Sequence, residues 1–465
     1  MRSYGKPKLG ILALMLGAYE PLFPGIVERQ TAFVRRVIND LGAAADFVFS
    51  RVALGREDIE ALTGEYNRDR LDGILILLLT YSQGQYLIRA MQNNRLPLAM
   101  ALVQPDETAE ENFEELDLTV NQGIHGSQDN ANCLLRAGIG CSYFAGSRFD
   151  GSFNQFVLDF AKAAQTAKYL KNMKIGVIGK LAGMGDIQCD DISFFRNIGP
   201  EFVYDSVGLL YSRFSEVTGK EVEERVALDR IIFTVDPGLS KESHAYAVKL
   251  YLGIKKYLEK GGYDGYTAHF EEFGADGRFL QLPLLAASHL MADGYGYGAE
   301  GDGMTASLVA ALNCLCGNAN FSEMYMMDIK RDAILFCHAG EGNWSTCGQG
   351  EKPRLIDRYF GEGGLENPPT VIFTPKAGKA SVLSITHING NKFRMVKADG
   401  EILPENGLKH CEMPYFFFRP ASGVKKCAGG WLKNGGTHHE AVVLGDFSER
   451  IGLLCGICGI ELINV

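Results

Sequence analysis

Two glutamates and a histidine within one short stretch of the chain have the types and spacing of metal ligands. Glu300 lies in the glycine-dense turn GYGYGAEGDG, Glu323 in the strand-like run FSEMYMMDI, and His338 at the end of the apolar run AILFCH. A fourth ligand is available in KNGGTHHEAVV, where His438 and His439 follow two glycines. Carboxylates and imidazoles without a thiolate suit Mn²⁺, Co²⁺, Fe²⁺ or Mg²⁺.

The chemistry that this set predicts is proton transfer on a sugar. Two glutamates beside a divalent ion can divide acid and base duties, because burial and the metal charge move their pKa values apart. An ion with open positions can also bind two adjacent sugar oxygens and make the neighbouring C–H acidic. The predicted reaction is therefore aldose–ketose isomerisation between C1 and C2 through an enediol.

Each of these residues also has a plain structural interpretation. Glu300 could be a carboxylate at a helix start, although Asp302 is the more natural cap. Glu323 could face solvent and leave Asp328 as the ligand, and nothing in THHEA separates the two adjacent histidines. The remaining histidines are expected to be structural or surface residues: His244, His269, His289, His387 and His410.

The elements that must position these side chains follow from the alternation of apolar runs and helical patterns. Strand-like runs such as LGILALML and DGILILLLTY alternate with amphipathic helices, which predicts doubly wound parallel sheets. Beyond about residue 340, short β-branched and aromatic runs separated by Asn-Gly and Asp-Gly turns predict antiparallel hairpins in a small barrel or sandwich. We expect an α/β domain at 1–171, a second α/β domain at 172–335 carrying both glutamates, and a β domain at 336–465 carrying the histidines.

Several local patterns have two interpretations. The polar run VNQGIHGSQ is interpreted first as a solvated loop before a helix, and otherwise as a sugar contact. The turn GVIGKLAGMGD matches no nucleotide fingerprint and is expected to line a pocket. KNGGTHHEAVV is expected to open a helix, and Met324, Met326 and Met327 are expected to pack in the core.

Composition restricts the partners. Of 465 residues, 46% are hydrophobic and 22% charged, which is typical of a globular protein. A net charge of −10 without a basic cluster argues against nucleic acid or an anionic membrane. The basic, apolar N-terminus lacks a small-residue cleavage site, so the expected location is cytoplasmic.

Five ordered motifs resemble those of L-arabinose isomerases, over roughly residues 95 to 445. QLPLLAASHLMADGYGYGAEGDGMTASL is similar to QLP…QGYGFAGEGDWKTAAL of that family, and FSEMYMMD to FMEDYTYHF. LFCHAGEG is similar to LGSHMLEV, KNGGTHHEAV to AGGAHHTVF, and VNQGIHGSQ to LNQTAHGGREF. Five motifs in the same order are far more specific than any one of them.

The resemblance implies roles for individual residues. The metal ligands would be Glu300, Glu323, His338 and His439, and the two glutamates would also be the acid/base pair. His438 would be a substrate-contacting neighbour. The resemblance also implies a homo-trimer or homo-hexamer, and it places five residues at the sugar site, two of them reaching an adjacent subunit: His438, Phe270, Gln281, and across the interface His125 and Gln122.

Some sugar-facing segments depart from the family. LALMLGAYEPLFPG replaces a WFVTGSQHLYG-like segment, YSQGQ replaces a HTFSPAK-like loop, and Gly303 stands where a Trp is usual. The metal residues are retained. We therefore expect an isomerase of a pentose or deoxyhexose-type sugar, with a metal-dependent epimerase or lyase on a modified sugar, or a non-catalytic sugar-binding protein, as alternatives.

Overall fold

The chain folds into two compact units. A computed structural model describes residues 2–348, 350–361, 364–404 and 407–465. The N-terminal unit comprises Tyr4–Lys168 and Glu449–Cys458, and the C-terminal unit comprises Tyr169–Ser448 and Gly459–Val465 with residues 2–3. The three domain boundaries expected from the sequence stay a prediction.

Five parallel strands form the sheet of the N-terminal unit, in the order β2-β1-β3-β4-β5. Its central strand, GILILL, is buried at every residue, because helices cover both faces of the sheet. The strands are β1 (Lys8–Leu14), β2 (Asp46–Val48), β3 (Gly73–Leu78), β4 (Leu98–Leu102) and β5 (Ser142–Ala145). The helices are α1 (Tyr19–Leu22), α2 (Ile26–Asp40), α3 (Arg56–Arg68), α4 (Gly84–Met91), α5 (Glu115–Val120), α6 (Gly123–Arg136) and α7 (Ser152–Leu170).

A second parallel sheet begins the C-terminal unit, in the order β10-β9-β6-β7. The strands in this region are β6 (Lys174–Ile178), β7 (Glu201–Tyr204), β8 (Thr234–Val235), β9 (Gly265–Ala268) and β10 (Gly296–Ala299). The helices are α8 (Asp191–Asn197), α9 (Val207–Ser215), α10 (Gly219–Ile232), α11 (Lys241–Gly261), α12 (Phe270–Asp276), α13 (Leu284–Ala292) and α14 (Gly303–Cys316). Strand β8 belongs instead to a small sheet with two later strands.

Six antiparallel strands then close into a barrel, because the β15–β16 hairpin completes the ring β15-β18-β11-β12-β17-β16. The remaining strands are β11 (Asn320–Asp328), β12 (Ala333–Cys337), β13 (Arg354–Asp357), β14 (Pro369–Ile372), β15 (Gly378–Asn389), β16 (Lys392–Ile402), β17 (Tyr415–Pro420), β18 (His439–Leu444) and β19 (Glu461–Asn464). The last helices are α15 (Val424–Lys433) and α16 (Ser448–Cys458). Strand β19 adds in parallel to β16, while α16 returns to the N-terminal unit, where Arg450 Nε lies 2.7 Å from Asp159.

Helix α14 connects the parallel sheet to the barrel within the C-terminal unit. It contacts β6, β9 and β10 of the parallel sheet and β11, β15 and β18 of the barrel. Its sequence, GMTASLVAALNCLC, is apolar on every face, and all but its last residue are buried. The turn before α14 is therefore held rigidly between the two sheets.

The predicted fold class is confirmed, with parallel-sheet α/β regions followed by an antiparallel barrel. Three local expectations are wrong. THHEAVV forms a barrel strand rather than a helix, because β18 pairs between β11 and β15. The run around His125 is the first turn of α6 rather than a loop. Met326 and Met327 are exposed beyond a bulge in β11, whereas Met324 packs against the barrel core.

No helix in the described ranges combines the length and the apolar character needed to cross a bilayer.

Candidate metal centre

The turn between β10 and α14 presents Glu300 in a strained backbone conformation. Its φ is +61°, in the left-handed region that residues with a side chain rarely adopt. Gly301 follows at φ +92°, and a Cβ there would lie 2.5 Å from Cα of Lys180, so only glycine fits. Asp302 then caps α14 by accepting a hydrogen bond from the Thr305 N–H at 2.9 Å.

Three neighbouring barrel strands supply the other predicted ligands. Glu323 of β11 pairs directly with His439 of β18 on one side and with Cys337 of β12 on the other. His338 follows Cys337 at the end of β12. Cross-strand partners lie within a few ångströms of each other, so residues more than 100 positions apart meet on one face of the barrel.

The four predicted ligands converge on one another. Nε2 of His338 lies 3.1 Å from Oε1 of Glu323, and Nε2 of His439 lies 3.3 Å from the same oxygen. Nε2 of His439 is also 3.5 Å from Oε2 of Glu300. Both histidines are buried. We call these four residues the metal-site cluster.

A carboxylate contacts Nδ1 of each of the two buried imidazoles. Nδ1 of His338 lies 2.6 Å from Glu341, which also accepts a hydrogen bond from the Tyr297 hydroxyl at 2.7 Å. Nδ1 of His439 lies 2.9 Å from Asp302, which therefore both caps α14 and contacts a predicted ligand. Such carboxylate–imidazole pairs fix the ring so that Nε2 faces the metal. Glu341 was not predicted from the sequence, although its position three residues after His338 is a usable signal.

His438 joins this site from the solvent side. Nδ1 of His438 lies 2.7 Å from Oδ2 of Asp186, and the same oxygen accepts the His438 backbone N–H at 2.9 Å. Ligand atoms of His438, His439 and Glu300 all lie within 4.8 Å of one another. His438 is thus positioned beside the metal-site cluster, with its ring about two-fifths exposed. Asp186, in the turn predicted to line a pocket, was not identified from the sequence.

The charges of the cluster are strongly coupled. Burial opposes ionisation of Glu323, but His338 and His439 outweigh it and lower the pKa of Glu323 to about 2. Burial likewise opposes protonation of His338, but Glu341 and Glu323 raise its pKa to about 10. The pKa of His439 is raised well above its ordinary value by Asp302, Glu300 and Glu323, against the effect of burial. The carboxylates of the site therefore favour positive charge beside them.

These residues fit a divalent cation. Nε2 of His439 is buried and makes no hydrogen bond with the described residues, although two carboxylate oxygens lie nearby. Four carboxylates, those of Glu300, Asp302, Glu323 and Glu341, surround two imidazoles. A cation held by oxygen and nitrogen atoms would balance that excess of negative charge and use the unpaired nitrogen.

A small cavity of about 60 Å³ opens beside Glu300 and His338. Phe270, one of the predicted sugar-site residues, lines this cavity together with largely aromatic and aliphatic neighbours. These include Tyr266, Phe273, Leu282, Pro283, Leu284, Tyr297 and Phe360. Gln281 is buried next to this wall, but its Nε2 donates to Ser243 Oγ at 2.7 Å. The cavity walls are therefore mostly apolar beside a charged centre.

The two remaining predicted site residues belong to the N-terminal unit. Gln122 precedes α6, and its Oε1 accepts a hydrogen bond from the Tyr19 hydroxyl at 3.0 Å. His125 is exposed on the first turn of α6. Both residues lie near the carboxyl edge of that unit's parallel sheet, the usual place for ligand contacts.

Phe202 accounts for the unusual Gly303. A Cβ on Gly303 would lie 2.7 Å from the Phe202 ring, which stacks on Phe194 with centroids 5.2 Å apart. Phe202 of β7 thus packs against the position where the resembling sequences carry a Trp. The start of α14 is packed closely without that side chain.

Comparison with known proteins gives consistent matches to one family. Residues 187–318 match the L-arabinose isomerase central domain, and residues 318–461 match the L-arabinose isomerase C-terminal domain. The chain is 25% identical to an L-arabinose isomerase of Clostridium beijerinckii, covering 93% of this chain and 91% of the relative. It is 26% identical to one from Nocardioides sp., with 95% and 91% covered. A third, from Leuconostoc mesenteroides, is 27% identical, with 95% and 96% covered.

A solved structure shows only a weak likeness. A periplasmic solute-binding protein of Actinobacillus succinogenes with bound D-allose gives a TM-score of 0.18 at 12% identity, covering 67% of this chain and 92% of that chain. A score this low carries no argument about fold or function.

The family matches, spread over both halves of the C-terminal unit, define the class of protein. The chain is an enzyme, an intramolecular oxidoreductase that interconverts aldose and ketose sugars. More narrowly, it belongs to the L-arabinose isomerase family.

Proposed function

We propose that this enzyme is a divalent-metal-dependent isomerase of a pentose or deoxyhexose-type sugar, in which Glu300 and Glu323 move a proton between C1 and C2 through an enediol. The observation that carries the proposal is the convergence of Glu300, Glu323, His338 and His439 around an unpaired, buried imidazole nitrogen. Mn²⁺ is the expected ion, with Co²⁺, Fe²⁺ or Mg²⁺ as substitutes.

The protein's own residues prepare this chemistry. Asp302 and Glu341 hold the two buried imidazoles with Nε2 facing inward. His338 and His439 keep Glu323 ionised, the form that ligates a cation or accepts a proton. The turn before α14 holds Glu300 with its Oε2 3.5 Å from Nε2 of His439. A divalent ion bound there would polarise the sugar carbonyl and make the C2 hydrogen acidic.

The proposed reaction consists of proton transfers at C1, C2 and their oxygens. One glutamate removes the C2 proton of the aldose while O1 gains a proton, which gives the enediol. O2 then loses its proton while C1 is protonated, which gives the ketose. The apolar walls around Phe270 limit the access of water to the enediol. The choice of a pentose or deoxyhexose is supported by the relatives, which are named L-arabinose isomerases.

The quaternary structure and location are further parts of the proposal. We expect a homo-trimer or homo-hexamer in which Gln122 and His125 reach the sugar site of an adjacent subunit. Both residues are at the carboxyl edge of a parallel sheet, and His125 is exposed there. The cytoplasmic location rests on the sequence alone.

A panel of aldoses and ketoses tests the proposal. Metal-stripped protein is assayed with and without added Mn²⁺, and incorporation of solvent hydrogen at C2 is followed. Metal-dependent interconversion with exchange is expected, and it identifies the sugar. Tight metal binding without isomerisation or exchange would contradict the proposal and favour an epimerase or lyase.

A further inference from the structure

A loop of the parallel sheet reaches the metal centre at two points. Residues 179–190 follow β6, and we call this segment the Asp186 loop. Its Leu181 N–H donates to the carbonyl of Glu300 at 3.0 Å, and Ile187 is buried. At its far end Asp190 caps α8 by accepting the Ser193 N–H at 2.9 Å. The loop is therefore anchored along its length, and it backs the Glu300 peptide directly.

Asp186 presents one carboxylate oxygen to both N–H groups of His438. Oδ2 accepts the backbone N–H at 2.9 Å and lies 2.7 Å from Nδ1 of the ring. Two contacts to one oxygen fix both the main chain and the ring angle of His438. With its proton on Nδ1, the imidazole keeps a free lone pair on Nε2. A ring nitrogen of His438 lies within 4.8 Å of ligand atoms of Glu300 and His439.

The three imidazoles of the site follow one pattern. Each has Nδ1 against a carboxylate: Glu341 for His338, Asp302 for His439, and Asp186 for His438. They differ in burial, since His338 and His439 are buried with their partners, whereas His438 and Asp186 are each about two-fifths exposed. The two buried rings suit metal ligation. The half-exposed ring suits a group that enters from solvent, such as a sugar hydroxyl.

We propose that Asp186 is a positioning residue for the isomerisation: it holds His438 so that Nε2 accepts a hydrogen bond from a substrate hydroxyl beside the metal centre. This inference rests on the proposed function, because it assumes that a sugar occupies the space next to Glu300. Asp186 acts through His438 and does not touch the substrate. Its loss should weaken sugar binding and leave the metal ligands in place.

Three variants separate this role from a general effect on the loop. Asp186→Ala removes the acceptor, Asp186→Asn keeps a weaker acceptor, and Asp190→Asn removes the same charge four positions away while preserving a good helix cap. We expect KM to rise about tenfold in Asp186→Ala, the cost of roughly one oriented hydrogen bond, with kcat changed far less. Asp186→Asn should fall between it and the wild type, and Asp190→Asn should match the wild type.

The decisive experiment is a double-mutant cycle with His438→Asn. Affinity for L-arabitol, a polyol that has hydroxyls but no carbonyl to isomerise, is measured by calorimetry on the Mn²⁺-loaded protein, alongside Mn²⁺ affinity. If Asp186 acts through His438, Asp186→Ala weakens polyol binding in the wild type and adds nothing in His438→Asn. Mn²⁺ affinity should stay within about twofold, because the buried ligands are untouched.

Equal losses in both backgrounds, or a loss of Mn²⁺ affinity matching the loss of polyol affinity, would overturn the positioning role. The double-mutant cycle can fail independently of the proposed function, because it measures polyol binding and not isomerisation. A wild type that binds the polyol but isomerises no sugar would refute the isomerase proposal, and the cycle on polyol affinity would still decide the role of Asp186.

Discussion

The C-terminal unit contains two clusters of buried histidines and carboxylates, and they differ in how their charges are balanced. In the metal-site cluster, Nε2 atoms of two imidazoles face carboxylate oxygens, and one of those nitrogens makes no hydrogen bond with the described residues. The second cluster, which we call the Asp229 cluster, is paired internally. It consists of Asp229, Arg225, His244, His289 and Trp344.

Polar side chains of the Asp229 cluster contact one another. Asp229 accepts from Arg225 at 2.9 Å and lies 3.0 Å from Nε2 of His244. Nδ1 of His289 accepts from the Trp344 indole at 3.1 Å, so its proton is on Nε2, directed at Asp229. The negative charge of the Asp229 carboxylate is balanced by the positive charge of the Arg225 guanidinium. The cluster therefore needs no ion, and it joins α10, α11 and α13.

The pKa shifts of His289 and His338, one buried histidine from each cluster, run in opposite directions. Burial lowers the pKa of His289, and Asp229 does not fully offset it. In the metal-site cluster, carboxylates raise the pKa of His338 to about 10 in spite of burial. Residue types alone would not separate a structural cluster from a metal site. Unpaired, convergent atoms and an excess of one charge do separate them.

The largest expected effect tests the metal-site side of this comparison. Glu300→Gln removes a ligand charge and one member of the acid/base pair, so kcat/KM should fall by at least about 10³-fold. Thermal unfolding should be nearly unchanged, because Gln adopts the same backbone as Glu. Glu271→Gln, an exposed change on nearby α12, is the matched control and should remain active. An active Glu300→Gln enzyme would refute the mechanism.

The second prediction concerns the Asp229 cluster. Asp229→Asn leaves Arg225 without its buried counter-ion and should lower the free energy of unfolding by about 3 kcal/mol. Urea denaturation measures this loss. Asp236→Asn, which breaks only an exposed contact with Arg354, should cost less than about 1 kcal/mol. The Mn²⁺ affinity of folded Asp229→Asn should equal that of the wild type. A loss of Mn²⁺ affinity in this variant would show that the Asp229 cluster contributes to the metal site and would contradict the comparison.

The third prediction sharpens the role of the supporting carboxylates. Glu341→Gln keeps the size of the side chain and its contact with Tyr297 but weakens its hold on His338. We expect Mn²⁺ affinity to fall about 10- to 100-fold, which titration calorimetry measures. Glu351→Gln, an exposed change nearby, serves as the control. An unchanged affinity in Glu341→Gln would mean that the ring of His338 is held by packing alone.

The fourth prediction uses the sign of the His338 shift. A histidine whose folded pKa is raised stabilises the protein below its unfolded pKa of about 6.5, and this contribution is lost as pH rises through about 10. The free energy of unfolding of metal-free protein should therefore decline over this alkaline range, and His338→Asn should decline less. Mn²⁺-loaded protein should show a smaller decline, since a ligating imidazole is already neutral. Identical pH profiles for the three samples would contradict this account.

The four ligands predicted from the sequence come together in the structure, but the carboxylate contacts behind their imidazoles were not predicted. Hydrophobic periodicity and turn chemistry predicted both parallel sheets and the β15–β16 hairpin, because these signals are local. THHEAVV was misjudged because its strand state depends on partners in β11 and β15, which no local pattern reveals. Asp186 lies 252 positions from His438, and only the fold brings the two together.

The turn between β10 and α14 is a second feature that could be predicted only in part from the sequence. The glycines around Glu300 indicated a tight turn, yet one of its positive φ angles belongs to Glu300 itself, which has a side chain. Met326 and Met327 were expected in the core, but the bulge in β11 turns them outward. Such effects arise from tertiary contacts, which override local preference.

The measurement that tests the central claim most directly is calorimetric titration of metal-stripped protein with Mn²⁺, comparing wild type, His439→Asn and His244→Asn. We predict one Mn²⁺ per chain for the wild type and for His244→Asn, and at least about a 100-fold loss of affinity for His439→Asn. His387→Asn, which removes a partly exposed histidine, controls for the loss of any imidazole. Wild-type affinity in His439→Asn, or an equal loss in His244→Asn, would contradict the assignment of the metal centre.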